Sequence, residues 1–365
     1  MIDFEAMRPW IGLNFCLTPR QTLLLLDHFE SAQAAWSASK KELESVPGFA
    51  GEADAFLQRR SQAPLDRELE ALQRHKLRVL TLADPQYPSP LRQVKAPPPV
   101  LYVQGEYQPR DQLALAVVGT RRASAYGRRA AETLTRALAE QGLTIVSGLA
   151  LGIDTIAHQS ALAAGGRTLA VLGSGLLCIY PPRNRALAER IACQGALLSE
   201  FPLHAEPAPW TFPRRNRVIS GLSRGVLVVE APLKSGALIT AKTALDQGRE
   251  VLAVPGAITH PNAQGCHHLI KSGAKLVEGA QDVLEEFPEL AGLLQKGADR
   301  SHAPPPSLSD EQRRVLEALD FEPIHINALI EQLGVGAAHV SAALVELEML
   351  GLVSETEAKH YVRLP

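Results

Sequence analysis

The residues with the most evident chemistry lie between Phe212 and Glu230, a stretch reading F-P-R-R-N-R-V-I-S-G-L-S-R-G-V-L-V-V-E. Arg214, Arg215 and Arg217 crowd together there, and Trp210 and Phe212 stand just before them. A guanidinium is a planar fork of donors that matches phosphate, and an aromatic ring offers a stacking face to an unpaired base. The stretch therefore fits a grip on single-stranded nucleic acid. It equally fits an arginine-rich helix start that pairs with carboxylates of its own fold, and the two readings stay open on this stretch alone.

Other chemistry sits in short loops, each following an apolar run. They are G-T-R-R-A-S-A-Y-G (Gly119–Gly127), S-G-L-A-L-G-I-D-T-I-A-H (Ser147–His158), G-S-G-L-L-C-I-Y-P-P-R-N (Gly173–Asn184), Glu230 with S-G-A-L-I-T-A (Ser235–Ala241), and Pro255-Gly256. Small residues at strand ends let a phosphate or a ring approach the backbone closely. To place such loops together, the chain must bring several strand ends to one edge. The apolar runs Val100–Val103, Leu115–Val118, Thr144–Ser147, Leu169–Leu172, Ala196–Ser199, Val226–Glu230 and Val251–Val254 read as strands. Helical patterns at Tyr126–Gln141, Asp154–Ala164, Arg185–Gln194, Asn216–Leu222 and Ala237–Gln247 lie between most of them. This rhythm predicts an α/β fold, a Rossmann-like doubly wound, mostly parallel sheet with helices on both faces and a ligand groove at one edge.

Several enzyme chemistries fail on their residues. G-S-G-L-L-C at Gly173 lacks the third glycine of a dinucleotide fingerprint and sits in the middle of the fold, and no G-x-x-x-x-G-K-[ST] occurs. Sheets with S-G and P-G loops resemble nucleotide-base hydrolases of the lysine-decarboxylase-like group, whose P-G-G-x-G-T-x-x-E loop carries a catalytic glutamate; laid against it, Ser235–Thr240 puts Thr243 at the glutamate's place. Asp154 and His158, one helical turn apart, could act as acid and base, but they also suit a helix start where the carboxylate bonds backbone amides. Ser147 lacks the setting of a nucleophile elbow. His260, Cys266, His267 and His268 do not complete a metal shell, since adjacent side chains diverge on a helix. No cofactor and no metal are expected.

With 365 residues and 46% hydrophobic content, the chain has room for two or three cored domains. Its 37 Lys+Arg nearly balance 39 Asp+Glu, so any basic site must be local. Four scattered cysteines fit reduced thiols in a cytoplasm, no run reaches the length of a membrane span, and Asp3 and Glu5 at the start are unlike a signal peptide. Residues 1–70 read as a small helical domain of the SAM or helix-hairpin-helix type, with the turn V-P-G-F at Val46–Phe49. Residues 75–290 hold the sheet, residues 291–307, rich in proline, form a linker, and residues 308–365 carry three helices and a wing, the pattern of a winged helix. That last segment has four Lys+Arg against ten Asp+Glu and no basic residue in its third helix, which opposes duplex binding and favours a protein-interaction role.

Taken in order, the loops above with F-P-R-R-N-R-V-I-S-G-L-S, G-R-E-V-L-A-V-P-G and H-L-I-K-S-G-A resemble the DNA-processing protein A family (DprA, also called Smf) over about residues 75–280. The resemblance implies a non-enzymatic, cytoplasmic protein of natural transformation that binds and protects incoming single-stranded DNA. It also implies loading of the RecA recombinase and a homodimer formed through the Rossmann-like domain. By position it makes Arg121 the leading phosphate ligand, with Gly119, Thr120 and Arg122 beside it. It puts Ser147 and Gly148 at the groove floor, Phe212, Arg215, Asn216 and Arg217 along its wall, and Lys242 as a further cation. Cys266 and His267 follow Gly265 where the family tends to have a small hydroxyl residue and asparagine, a departure confined to that corner.

Overall fold

The structure, a computed structural model, describes residues 4–287, 308–319, 324–350, 352–357 and 359–363. The chain forms two compact units, residues 1–297 and 298–365.

The first unit is built on a nine-stranded sheet. Its strands are β1 (Arg78–Thr81), β2 (Val100–Gly105), β3 (Ala114–Val118), β4 (Thr144–Ser147), β5 (Thr168–Val171), β6 (Ala196–Ser199), β7 (Gly225–Val228), β8 (Glu250–Ala253) and β9 (Lys275–Leu276), in the order β1-β2-β6-β5-β4-β3-β7-β8-β9. From β6 to β9 all neighbours are parallel, while β2 runs antiparallel to both β1 and β6. All residues of β3, β4, β5, β6 and β7 are buried, as expected where helices cover both faces. One face packs Leu115, Val117 and Ile145 against the helices Ala125–Glu140 and Ile153–Ala163. The other packs Ala116, Val146 and Val226 against Thr211–Leu222 and Gly236–Asp246.

Strand order reverses at β3. From β3 the chain steps outward through β4, β5 and β6, and then returns to lay β7 on the other side of β3. The loops leaving β3 and β7 therefore diverge and open a crevice at the carboxyl edge, the switch point where such sheets hold ligands. Two edge strands, β1 and β9, and the early start of the Thr211–Leu222 helix go beyond the sequence expectation, which began that helix at Asn216. Pro213 falls in the first turn, where a missing N–H breaks no bond, so P-R-R-N is itself helical.

Among the described residues six α-helices precede the sheet, from Phe4–Cys16 to Leu65–Arg74, with capping boxes at Thr18/Gln21 and Ser39/Glu42. In the V-P-G-F turn Gly48 adopts φ of 80°, while Val46 and Phe49 are buried with Leu25, Leu43 and Phe56. The helices are bonded to the sheet layer: Asn14 Nδ2 donates to the Glu200 carbonyl (3.0 Å), and the Leu203 amide donates to Glu68 Oε1 (2.7 Å).

The second unit holds the helices Asp310–Glu317, Ile326–Leu333 and Ala337–Met349 and an antiparallel sheet of β10 (Ile324–His325), β12 (His360–Arg363) and β11 (Val353–Glu357), in that order. Val315, Leu329, Val340, Leu344 and Leu347 make its core, and Ser309 with Gln312 caps its first helix. This is a winged helix. The expected linker over 291–307 lies outside the described residues. No single helix among the described residues is long and apolar enough to cross a membrane.

Candidate nucleic-acid interface

At the switch point a cavity of about 280 Å³ opens between the loop after β3, the start of Thr211–Leu222 and the start of Gly236–Asp246. The loop after β3 is fastened first. The Thr120 amide donates to the Glu230 carbonyl (2.7 Å), which ties the ends of β3 and β7, and the Arg122 amide donates to Thr120 Oγ1 (3.2 Å). Gly119 is required by proximity, because a Cβ there would lie 2.5 Å from Ile153 Cγ1. Gly119, Thr120 and Arg121 line the cavity, while Arg122 is exposed on the same loop.

Arg121 is exposed, and its guanidinium carbon lies 5.2 Å from the centre of the Phe212 ring. Phe212, half-buried in the first turn of its helix, also meets Tyr180, with ring centres 5.8 Å apart. A cation over a ring holds the arginine's charge at the cavity mouth while leaving its N–H edges for an anion. Tyr180 is 43% exposed, so the ring pair continues the cavity outward. Its place in Y-P-P-R-N gave the sequence reading only a motif and no role.

Beneath the cavity lies a buried polar cluster. Arg215 is 4% exposed, and its Nη1 donates to the carbonyls of Gly148 and Val171 while Nε donates to Asn216 Oδ1 (3.1 Å). A Cβ on Gly148 would strike this guanidinium at 2.2 Å, so the glycine makes room for it. Asp154 Oδ2 accepts from the amides of Gly148 (3.1 Å) and Ala150 (3.4 Å), and His158 Nδ1 bonds Thr168 Oγ1 (2.7 Å). The Asp154 and His158 pair is thus engaged with backbone and neighbour. Burial lowers Arg215 to about 10, with the Asp154 charge opposing and the Arg121 charge adding to the shift. Burial raises the Asp154 carboxyl, against the pull of Arg215, and burial with the Arg215 charge lowers His158 to about 3. Ser147 is fully buried and donates to the Val117 carbonyl (2.7 Å), below the surface a ligand would meet.

The three arginines of the opening stretch thus separate. Successive helical residues turn by about 100°, so only Arg215 of the three points beneath the cavity. Arg214 and Arg217 both reach the buried carboxylate of Glu200, and Arg217 also donates to the Ala96 carbonyl. Arg217, expected along the groove wall, has its guanidinium engaged by Glu200 and the Ala96 carbonyl and does not line this cavity. Lys242 is exposed on the Gly236–Asp246 helix and likewise stands outside the lining. Asn216 does line the cavity, with Nδ2 3.4 Å from the Gly236 carbonyl.

Sequence reasoning missed Lys234, which is exposed and lines the cavity one residue before the helix N-cap. Ser235 caps that helix by accepting from the Ala237 amide (3.2 Å), so a lysine and a helix start face the same space. A lone lysine in P-L-K-S carries no sequence signal; only the return of β7 to the side of β3 brings it opposite Arg121. Thr243, where a hydrolase of this sheet type would carry its glutamate, donates to the Ile239 carbonyl (2.8 Å).

The family model described as DNA recombination-mediator protein A matches residues 78–288, and that of the DprA winged helix domain matches residues 299–358. Protein Smf of Synechocystis sp. is 38% identical over 372 residues, covering 93% of this chain and 94% of its own. DNA processing protein DprA of Bacillus subtilis is 44% identical over 226 residues, covering 62% of this chain and 76% of its own. The crystal structure of DprA from Streptococcus pneumoniae superposes with a TM-score of 0.68 at 38% identity, over 79% of this chain and 98% of that one. The DprA of Helicobacter pylori, studied for its single-stranded DNA binding mode, gives a TM-score of 0.52 at 31% identity, over 61% of this chain and 98% of that one.

Proposed function

Because this chain belongs to the DNA recombination-mediator protein A family, we propose that it binds single-stranded DNA in the switch-point groove and acts there without chemistry of its own. The observation that carries the reading is the Arg121 guanidinium over the Phe212 ring, a cation and a stacking face side by side at the cavity mouth. Phosphates of a strand meet Arg121, Arg122, Lys234 and the start of the Gly236–Asp246 helix. An unpaired base meets Phe212 and Tyr180. Gly119 and Thr120 offer main-chain and hydroxyl contacts, whereas Arg215, Asp154, Ser147 and Gly148 hold the floor from below. Lys242 contributes at long range from its helix. Four cation and helix contributions grip a backbone through its phosphates, which are the same in every sequence.

The same reading makes the protein a mediator of transformation that protects the strand, loads RecA on it, and acts in the cytoplasm as a homodimer joined through the sheet domain. The boundaries proposed are residues 1–70 for the helical domain, 75–290 for the DNA-binding domain and 308–365 for the winged helix, whose charge points to a protein partner. The rival function on such a sheet, nucleotide-base hydrolysis or nucleotide sensing, lacks its glutamate at Thr243. Binding of oligo-dT with mononucleotide as competitor separates the two: the oligomer holds the groove in this proposal, and displacement by the mononucleotide at lower concentration overturns it.

A further inference from the structure

A second cavity, of about 460 Å³, opens at the same carboxyl edge between the ends of β7 and β8. Its walls are apolar at Val229, Val254 and Ala263, all buried, and it contains one carboxylate, Glu230, which is 3% exposed. Both oxygens of Glu230 are anchored: Ser124 N donates to Oε2 (2.9 Å) and Ser124 Oγ donates to Oε1 (2.6 Å). His260 Nδ1 stands 3.7 Å from Oε1. At the rim the ring of Tyr126, 53% exposed, is fixed by its hydroxyl donating to the Pro255 carbonyl (2.6 Å).

This cavity neighbours the groove across one loop. The loop from Gly119 to Ser124 is the ridge between them: Thr120 N donates to the Glu230 carbonyl, and Asn262 Nδ2 donates to the Arg122 carbonyl (3.1 Å). Arg121 borders the first cavity and Ser124 the second, a separation of at most about 11 Å along the chain, short enough for neighbouring nucleotides of one strand. A carboxylate repels phosphate, so the occupant is not the backbone. Ionised, it only accepts, and it has about four lone-pair sites of which Ser124 takes two. Its free capacity suits the exocyclic amino group of a base, as glutamate accepts from cytosine N4 in duplex readout. Apolar walls and a fixed tyrosine ring suit the base's faces. Thymine offers one N–H between two carbonyls and fits poorly.

We infer that this cavity is a nucleobase subsite selective for amino-bearing bases, cytosine, adenine or guanine over thymine, on a strand whose phosphates cross the Arg121–Arg122 ridge. The inference rests on the groove reading above, and its test separates the two. Affinities of the full chain for oligo-dC and oligo-dT of equal length are compared at neutral pH, for the native chain and for Ala257→Trp, which fills the cavity from an exposed position and leaves Glu230 with Ser124. The native chain binds oligo-dC about five- to tenfold tighter than oligo-dT. In Ala257→Trp the oligo-dC affinity drops to the oligo-dT level, which itself stays within about twofold. Equal native affinities overturn the subsite and leave the groove standing. So does a cytosine preference that survives the tryptophan, which would leave the cavity to a protein side chain. Equal loss for both oligomers assigns the cavity to the backbone and also overturns it. If the native chain binds neither oligomer, the groove reading itself fails.

Discussion

The guanidinium of Arg121 stands over the ring of Phe212 at 5.2 Å, joining the loop after β3 to the first turn of a helix that follows β6. Arg121 is exposed, so its removal tests binding with little disturbance of the fold. Arg121→Ala weakens single-strand binding about ten- to hundredfold, evenly across sequences, the cost of a charge-assisted contact. Phe212→Ala weakens it by a comparable factor through lost stacking. Because the two side chains touch, the double variant loses less than the product of the single losses. Fluorescence anisotropy on labelled oligomers checks all three, and product-like losses contradict a shared grip.

Arg215 behaves differently. Arg215→Met removes the donor from the carbonyls of Gly148 and Val171 and leaves Asp154 buried without its neighbouring charge. Loss of one member of a buried ionic set costs about 3–5 kcal/mol. Thermal denaturation registers the loss, and adding Asp154→Asn restores part of it. A variant with native melting and no DNA binding would return Arg215 to the role of a direct ligand.

Lys234 and Arg217 exchange the places that sequence gave them. Lys234→Ala lowers affinity and makes the slope of log affinity against log salt shallower by about 0.7, one phosphate contact. Arg217→Ala leaves both quantities unchanged in the folded fraction, and lowers stability because Glu200 loses a partner. Binding isotherms at several salt concentrations distinguish the two. The reverse pattern contradicts the geometry.

Much of this was legible in the sequence, and the failures share a cause. Strand positions from Leu115 to Val254 and the loops that follow them stand out because buried parallel strands are continuous apolar runs closed by small residues. The two-residue β9 is too short to make such a run. In F-P-R-R-N-R the residue types announce an anion site, but three arginines on one helix face three directions, and neighbours fixed by the tertiary fold decide which is exposed. Glu200, on the preceding strand-end loop, claims Arg214 and Arg217. Lys234 joins the site only through the switch in strand order.

The buried His158 sets a pH dependence. Its folded value is lowered to about 3 from 6.5, so the unfolded chain takes up a proton first. Its contribution to stability is whole above pH 6.5 and is lost as pH falls toward 3, reaching about 2 kcal/mol at pH 5. Asp154, raised by burial, acts in the opposite sense as the solution is acidified. Denaturant unfolding at pH 7 and pH 5 shows this loss in the native chain and a smaller one in His158→Gln. Equal losses in both exclude His158 as its source.

The groove itself is tested most directly by the salt dependence of oligo-dT binding. Three to four phosphates neutralised by Arg121, Arg122, Lys234 and the helix start give a slope of log affinity against log salt of roughly −2 to −3. That slope, lost in part with Arg121→Ala, is the predicted result. A flat slope contradicts a phosphate-gripping groove at the switch point.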